Sequence, residues 1–459
     1  MKKNIFSSIN PFTEELVGKT LGFSDVDIEN ALSLSEKAFT SWSNYSLEKK
    51  TDIVQKLMVD LDKNKNQLAT LITKEMGKPI KQSIAEVEKC IRLCDYVIKQ
   101  SPIALADKTN IPQAPSGSYV IYKPLGVIMG IMPWNFPFWQ VFRFALPTLI
   151  SGNTVLVKKA PNVMLCGVEL EKLFIVAGFP IGVYQNLPIS VEQVPLIIAD
   201  DRVKGVSLTG SVEAGRSVAT LAGKHLKKTL LELGGSDPYI VLDSANLKIA
   251  SKECALSRMN NAGQSCIAAK RIIVTKKVEE EFIRLLIEEM HFYNMGDPLS
   301  INSHLGPLAR EDLRDNLHSQ VQALMKKKAQ VLLGGKIPSR KGYFYPATVL
   351  KISADHVRSF DEELFGPVAL VVVASHEEEA LKIANDSSYG LGAVVFSQEE
   401  KKAKKWVHDL LQAGSGSVNK ALHSHPALPF GGIKNSGYGR ELSFQGFYEF
   451  VNIKTIFCG

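Results

Sequence analysis

Between residues 26 and 100, apolar side chains recur at spacings of three and four among helix-forming residues, the signature of amphipathic helices. Ile53, Leu57 and Leu61 mark one stripe, and Ile84, Val87, Ile91 and Cys94 mark another. The pattern predicts three helical stretches, then breaks into Pro, Ser, Gly and Asn over 101–118, which marks a boundary. From residue 119 short apolar runs alternate with amphipathic segments. Gly126–Met132, Thr154–Lys158, Val203–Thr209, Lys228–Glu232 and Tyr239–Leu242 read as strands, with helices such as 163–178 and 211–223 between them. The strands are apolar almost throughout, as in a parallel sheet covered on both faces. The alternation then restarts with strands Arg271–Thr275, Ala369–Val373 and Gly392–Phe396, each followed by a helix (278–291, 376–385, 399–412). Two α/β units in series predict two doubly wound, Rossmann-like domains with a cleft between them. The tail, Glu449–Phe457, reads as a strand apolar on both faces, which is safer paired than exposed and suggests an oligomer.

Composition narrows the class. A chain of 459 residues exceeds what one hydrophobic core organises, so two or three domains are expected. The net charge of +7 is spread thinly, with no dense Lys/Arg block, so no nucleic-acid partner is expected. No apolar run approaches the ~20 residues that span a bilayer, so no membrane partner is expected either. The opening MKKNIFSSINPF lacks the apolar core of a secretory signal. The cysteines (90, 94, 166, 254, 266 and 458) follow no framework spacing. Cys90 and Cys94 have no second Cys or His pair to complete a zinc site, so no metal is expected and reduced thiols in the cytoplasm are the simplest reading.

Four short segments carry candidate chemistry. Asn261-Ala-Gly-Gln-Ser-Cys266 frames a cysteine with small and polar residues. A thiol there serves as a nucleophile when its pKa is lowered, as near a helix N-terminus; the segment alone fits a buried structural cysteine as well. Leu231-Glu232-Leu233-Gly234-Gly235 sets a carboxylate at a strand end, where desolvation would suit it to general-base work and a surface salt bridge is the plainer alternative. Pro133-Trp134-Asn135-Phe136-Pro137 fixes an asparagine between two prolines, rigid enough to aim an amide at an oxyanion, or simply to cap the next helix. Thr209-Gly210-Ser211, with Gly215, lies between a strand and a helix, where backbone N–H groups receive pyrophosphate, although the full G-x-G-x-x-G pattern is absent. Lys158, at the end of its strand, is placed to reach ribose hydroxyls or phosphate.

Together and in this order, these segments resemble the aldehyde dehydrogenase family over essentially the whole chain. The resemblance implies Cys266 as nucleophile, Glu232 as general base and Asn135 as oxyanion donor. It implies a cofactor, NAD or NADP, held by Met132, Pro133, Trp134, Lys158, Thr209, Gly210, Ser211, Gly215 and Leu233. Glu363 and Phe365, in Glu362-Glu-Leu-Phe-Gly-Pro-Val368, would hold the nicotinamide ribose and flank the ring. Pro429–Lys434 and Ser436–Glu441 match closing loops near the substrate mouth, with Glu441 behind them assisting proton or water movement. The family topology implies a cofactor domain from 1–106 and 125–233, a catalytic domain from 234–448, and strands 107–124 and 449–459 joining a homodimer or homotetramer.

Arg143, on the helix after Asn135, stands where family members acting on succinate semialdehyde bind the distal carboxylate; Ser265 also falls at the substrate. A planar guanidinium selects such aldehydes by paired, charge-assisted hydrogen bonds. Many of those members carry a second arginine where this chain has Asn260, and Arg258 is expected on another face. NAD-preferring members often have a glutamate where this chain has Pro161. With Lys158 and Lys159 nearby, the 2′-phosphate of NADP is expected to be tolerated. The alternatives are a general short-chain aldehyde dehydrogenase and a CoA-acylating member, though the latter typically lacks the glutamate found at 232. A cysteine hydrolase or acyltransferase would want a histidine base, which no motif supplies, and a non-enzymatic role sits poorly with every catalytic position filled.

Overall fold

A computed structural model of the chain describes residues 4–109, 112, 114–357 and 361–458. Residues 1–3 of the 1–106 segment, 110, 111 and 113 of the 107–124 segment, 358–360 of the 234–448 segment and Gly459 lie outside the described residues.

Four helices form where the pattern predicts three: Asp25–Trp42, Leu47–Lys63, Lys65–Met76 and Ile80–Ala104. The added division falls at Asn64, which ends one helix and opens the next without interrupting the apolar periodicity. Ile80–Ala104 also runs through the expected boundary at 101, with Pro102 inside its last turn, where the missing N–H costs one bond and the helix ends two residues later. Its buried face holds Val87, Cys90, Leu93, Cys94 and Val97, with Glu86 among them, while Ile84 and Ile91 are half-buried at the flank.

The first sheet runs, in spatial order, Gly437–Tyr438, Lys228–Glu232, Val203–Thr209, Val127–Met132, Thr154–Lys159, Tyr184–Asn186, parallel except for its first member. Val155 and Val157 pack into one hydrophobic cluster and Leu156 into another, so alternate residues are buried on opposite faces. That is why the strands read as continuous apolar runs. The chain starts this sheet at Val127–Met132, adds strands on one side, then returns to add Val203–Thr209 on the other. The order therefore reverses between these two strands, and the crevice at their carboxyl ends is where such sheets bind ligands.

The second sheet runs Gln330–Leu333, Thr348–Ser353, Val368–Ala374, Arg271–Thr275, Pro238–Val241, Gly392–Phe396, Ser415–Val418, parallel except for Gln330–Leu333. It too begins at an inner strand, Pro238–Val241, and fills both sides. Two doubly wound sheets are thus present, with the carboxyl ends of the first facing the loops that enter the second. Several elements carried too weak a pattern to be expected: the Ile5–Ile9/Leu16–Leu21 hairpin, Tyr184–Asn186, Glu311–Lys326, Gln330–Leu333, Thr348–Ser353 and Ser415–Val418. The helix expected over 399–412 is Glu400–Lys405 followed by a π-turn over Trp406–Leu410.

The tail strand is shorter than expected, Val451–Ile456, because Ser443–Tyr448 is helical. It pairs antiparallel with Tyr119–Pro124. Leu442, Phe447 and Phe450 pack into the core of the first sheet, so the chain returns to that unit at its end.

Candidate active site

The loop entering Arg271–Thr275 carries Cys266. It begins with three consecutive residues in the left-handed region, Asn261, Ala262 and Gly263 (φ 55°, 51° and 72°). Only glycine adopts that conformation freely, and a Cβ on Gly263 would also lie 2.1 Å from the Gly366 carbonyl oxygen. Buried Arg258 and half-buried Gln82 hold the turn. Arg258 donates to the Gly263 carbonyl at 2.5 Å, and Gln82 accepts from the Asn261 backbone N–H at 2.7 Å. Lys270, almost wholly buried, donates to the carbonyls of Ser265 (2.9 Å) and Cys266 (2.5 Å) and pairs with Glu363 at 3.0 Å. Sequence reading missed Lys270; its signal was a cation beside an otherwise apolar strand.

Cys266 is half-buried in this loop, not at a helix N-terminus. No helix dipole therefore favours its thiolate. Burial pushes the thiol up to about 12, with Arg143 and Lys270 pulling the other way, so the expected lowered pKa is not what the resting site provides.

The turn bearing Asn135 is clamped from two sides. Lys159 donates to the carbonyls of Pro133 (3.2 Å) and Pro137 (2.8 Å), and Glu86 accepts from the backbone N–H groups of Phe138 (2.8 Å) and Trp139 (3.0 Å). Glu86 is itself paired with buried Lys78. Lys159 is thus committed to this turn and does not reach a cofactor phosphate, correcting that expectation; Lys158, buried at the strand end, donates to the Lys159 carbonyl at 3.3 Å. The Asn135 amide donates to the Gln264 carbonyl at 3.0 Å, and the Asn261 amide donates to the Asn135 carbonyl at 2.8 Å.

Glu232 ends its strand buried, with Oε1 lacking a hydrogen-bond partner and packed over Gly431, where a Cβ would come within 2.7 Å. Burial raises its pKa well above the carboxylate range; neighbouring Glu441 raises it further, and Arg143 opposes both. Arg143 and Glu441 form a buried ion pair, and Arg143 lies 4.4 Å from the centre of the Phe430 ring. Burial also raises Glu441, against the pull of Arg143. Arg258 faces its own loop, away from this group, as expected.

Two cavities meet at Cys266. One, about 250 Å³, is walled by ten of the expected residues: Pro133, Trp134, Asn135, Thr209, Gly210, Ser211, Leu233, Glu363, Phe365 and Cys266. Trp134 and Phe365 stand edge to face at 5.7 Å. Ser211 caps the Val212–Lys224 helix by accepting from Ala214, and a Cβ on Gly210 would meet nothing nearer than 3.8 Å, leaving the helix N-terminus open to an anion. Glu363 accepts from Gly235 N–H at 3.2 Å, and its carboxylate passes so near Gly234 that a Cβ there would lie 2.3 Å away. Met132, Lys158 and Gly215 are not among the residues that wall it. A Cβ at Gly215 would meet Leu233 at 2.5 Å, so that glycine serves close helix–sheet packing. The other cavity, about 110 Å³, is lined by Arg143 and Ser265 as well as Cys266. Glu232 and Glu441 line neither. Among the described residues there is no cluster of three or more His, Cys, Asp or Glu arranged to hold a metal, and no helix long and apolar enough to cross a membrane.

A crevice at the switch point of one sheet, with a helix N-terminus in its wall and opening onto a cysteine from the loop of another, defines a two-sheet α/β oxidoreductase. Residues 1–456 match the aldehyde dehydrogenase family, and the chain belongs to it. It is 41% identical over 449 residues to the NAD(P)+ succinate semialdehyde dehydrogenase Sad of Escherichia coli K12, covering 98% of this chain and 97% of that one. A succinate-semialdehyde dehydrogenase (NADP+) of Deinococcus radiodurans is 42% identical over 452 residues, covering 98% and 94%. Among solved structures, succinic semialdehyde dehydrogenase of Streptococcus pyogenes in complex with NADP+ matches with a TM-score of 0.95 at 35% identity, covering 99% of each chain.

The thiol chemistry is testable. In the cofactor-free enzyme, iodoacetamide should label Cys266 slowly near neutral pH and ever faster up to about pH 10, because only the thiolate reacts. Peptide mass spectrometry separates it from exposed Cys458. A rate that levels off below about pH 8 would mean a stabilised thiolate and refute this description.

Proposed function

We propose that the protein oxidises succinate semialdehyde to succinate with NAD or NADP, through a thioester on Cys266. One observation carries this reading: Cys266 lines both the cleft at the sheet's switch point and the cavity containing Arg143, so one sulfur can hold an aldehyde carbon between them. The residues fit a dinucleotide. Thr209 offers a buried hydroxyl without a partner, the Ser211 helix N-terminus faces the cleft, and Lys158 stands near the end of Thr154–Lys159, two strands along the same sheet. Lys158 remains as the cation that would accept a 2′-phosphate.

In this mechanism the Cys266 thiol gives its proton to solvent water and Sγ attacks the aldehyde carbon. The resulting oxyanion is held by the second Asn135 amide hydrogen and the Cys266 backbone N–H, each such donor contributing about 3 kcal/mol to transition-state stabilisation. The bound nicotinamide supplies the acceptor for the hydride that the carbon must lose. Glu232 then takes a proton from the water that cleaves the Cys266 thioester. Its raised pKa makes it a strong base once ionised, and makes turnover fall as pH drops through that value. Arg143 selects the substrate: its Nη2 is buried without a hydrogen-bond partner beside the cavity, a donor suited to a carboxylate. Residues 1–106 with 125–233 are assigned to the cofactor and 234–448 to catalysis. The assembly is a homodimer or homotetramer formed through 107–124 and 449–459, a reading supported by Ile453, 59% exposed on a strand whose outer edge carries no further strand among the described residues.

The deciding experiment is initial-rate formation of reduced nicotinamide from succinate semialdehyde and from butyraldehyde, each with NAD and with NADP. The acid aldehyde should be preferred and NADP accepted. Arg143→Leu should cut that preference by about tenfold or more, mainly through KM; equal losses for both aldehydes would sink the clamp. In stopped flow, Glu232→Gln should keep a burst of one reduced cofactor per site while steady turnover collapses, and full steady turnover would remove Glu232 from the base role. Sedimentation should find the wild type oligomeric and Ile453→Lys dissociated, whereas a monomeric wild type would exclude the assembly.

A further inference from the structure

The inner cavity holds a cation that the chemistry at Cys266 does not use. Arg143 and Glu441 are both buried and paired, so together they bring little net charge to the incoming substrate. Lys89, from the Ile80–Ala104 helix, lines the same cavity and forms no ion pair among the described residues. Its Nζ donates to Ser424 Oγ at 2.6 Å and lies 4.4 Å from the centre of the Trp139 ring. Trp139 Nε1 donates to the same hydroxyl at 3.2 Å. Two incoming hydrogen bonds occupy both lone pairs of Ser424 Oγ, so its own hydrogen is left to be donated. Lys89 and Ser424 are therefore both donors.

Their position is also specific. A larger cavity of about 480 Å³ adjoins the inner one, and Lys89, Phe136, Trp139, Asn260, His423 and Ser424 wall both. Arg92, one turn along from Lys89, lines the outer cavity. An anion entering from outside meets this junction before it reaches Cys266. Trp139 lies one helical turn before Arg143, so the two cations approach the inner cavity from neighbouring parts of one wall.

Resting on the substrate reading above, we propose that Lys89, held in place by Ser424, is a second cationic anchor for the far carboxylate of the substrate, one oxygen on Lys89 and the other on Arg143. The selectivity of the enzyme for carboxylate-bearing aldehydes then depends on a helix remote in sequence from the catalytic segments. Burial lowers the Lys89 amine to about 7, with Arg143 the next cause, and an arriving carboxylate supplies the missing counter-charge.

The test compares Lys89→Met, Lys89→Arg and Ser424→Ala with Arg143→Leu, using succinate semialdehyde and butyraldehyde. Lys89→Met should raise KM for succinate semialdehyde by about tenfold with far less change in kcat, lowering the preference over butyraldehyde, as loss of one charge-assisted bond implies. Lys89→Arg should restore most of it, and Ser424→Ala should act in the same direction with smaller effect. Competitive inhibition by succinate should weaken in parallel, which gives a second readout if Lys89→Met folds poorly. A common rise in KM for both aldehydes would mean a packing defect and overturn the proposal. If Lys89→Met is silent while Arg143→Leu still removes the preference, the anchor falls and the substrate reading stands. A wild type that does not prefer succinate semialdehyde overturns both.

Discussion

An exchange of two amide hydrogen bonds across the seam between the sheets sets the geometry of the site. Asn135 donates to the Gln264 carbonyl, and Asn261 donates back to the Asn135 carbonyl. One partner rides on the carboxyl end of the first sheet and the other on the loop entering the second, so the bonds fix sulfur and amide relative to each other. The loop is held in a conformation it would not choose. Each non-glycine residue in the left-handed region costs about 1–3 kcal/mol, and Ala262 has no side chain with which to offset it. That conformation persists because surrounding contacts over-determine it. Gln82, Arg258 and Lys270 each bind it, and Gln264 accepts from the Ala309 N–H at 3.0 Å. Pre-organisation of this kind is what electrostatic stabilisation of an oxyanion requires, since donors that must reorganise lose most of their effect.

What was legible in the sequence were contiguous segments whose chemistry is local. The strand-end Glu232, the proline-framed Asn135, the glycine turn after Thr209 and the small-residue frame of Cys266 each lie within a few residues of their own context. The alternation of apolar runs and helices likewise carried both sheets, because a strand buried on two faces has little choice of composition. What escaped was long-range. Glu86 looks like a solvent-facing residue of an amphipathic helix, yet it caps the helix after Asn135 from about fifty positions away. Lys159 reads as a cation for a cofactor phosphate, and Lys270 draws no reading at all, until the carbonyls they satisfy are known. A pattern argument assigns charge to solvent by default, and here that default fails for the residues that hold the catalytic segments in place. The useful signal is a cation within or beside a strand otherwise apolar on both faces, since burial without partners is too costly to persist.

Buried charge also explains why the site favours neutral forms in the absence of ligands. Burial raises Cys266, Glu232 and Glu441 and lowers Lys89, the direction desolvation imposes on acids and bases respectively. A cavity that disfavours charge is a poor binding site for an anion unless cations are fixed there at the expense of folding stability. Arg143 places a guanidinium there, but its partner Glu441 cancels much of its field. The same carboxylate, together with Arg143, bears on the titration of Glu232. In the proposed mechanism selectivity and base strength are therefore linked through one ion pair: a substrate carboxylate that drew Arg143 away from Glu441 would change the field at Glu232. A lone arginine cannot serve both tasks without coupling them, whereas a second cation outside that pair separates substrate recognition from control of the base.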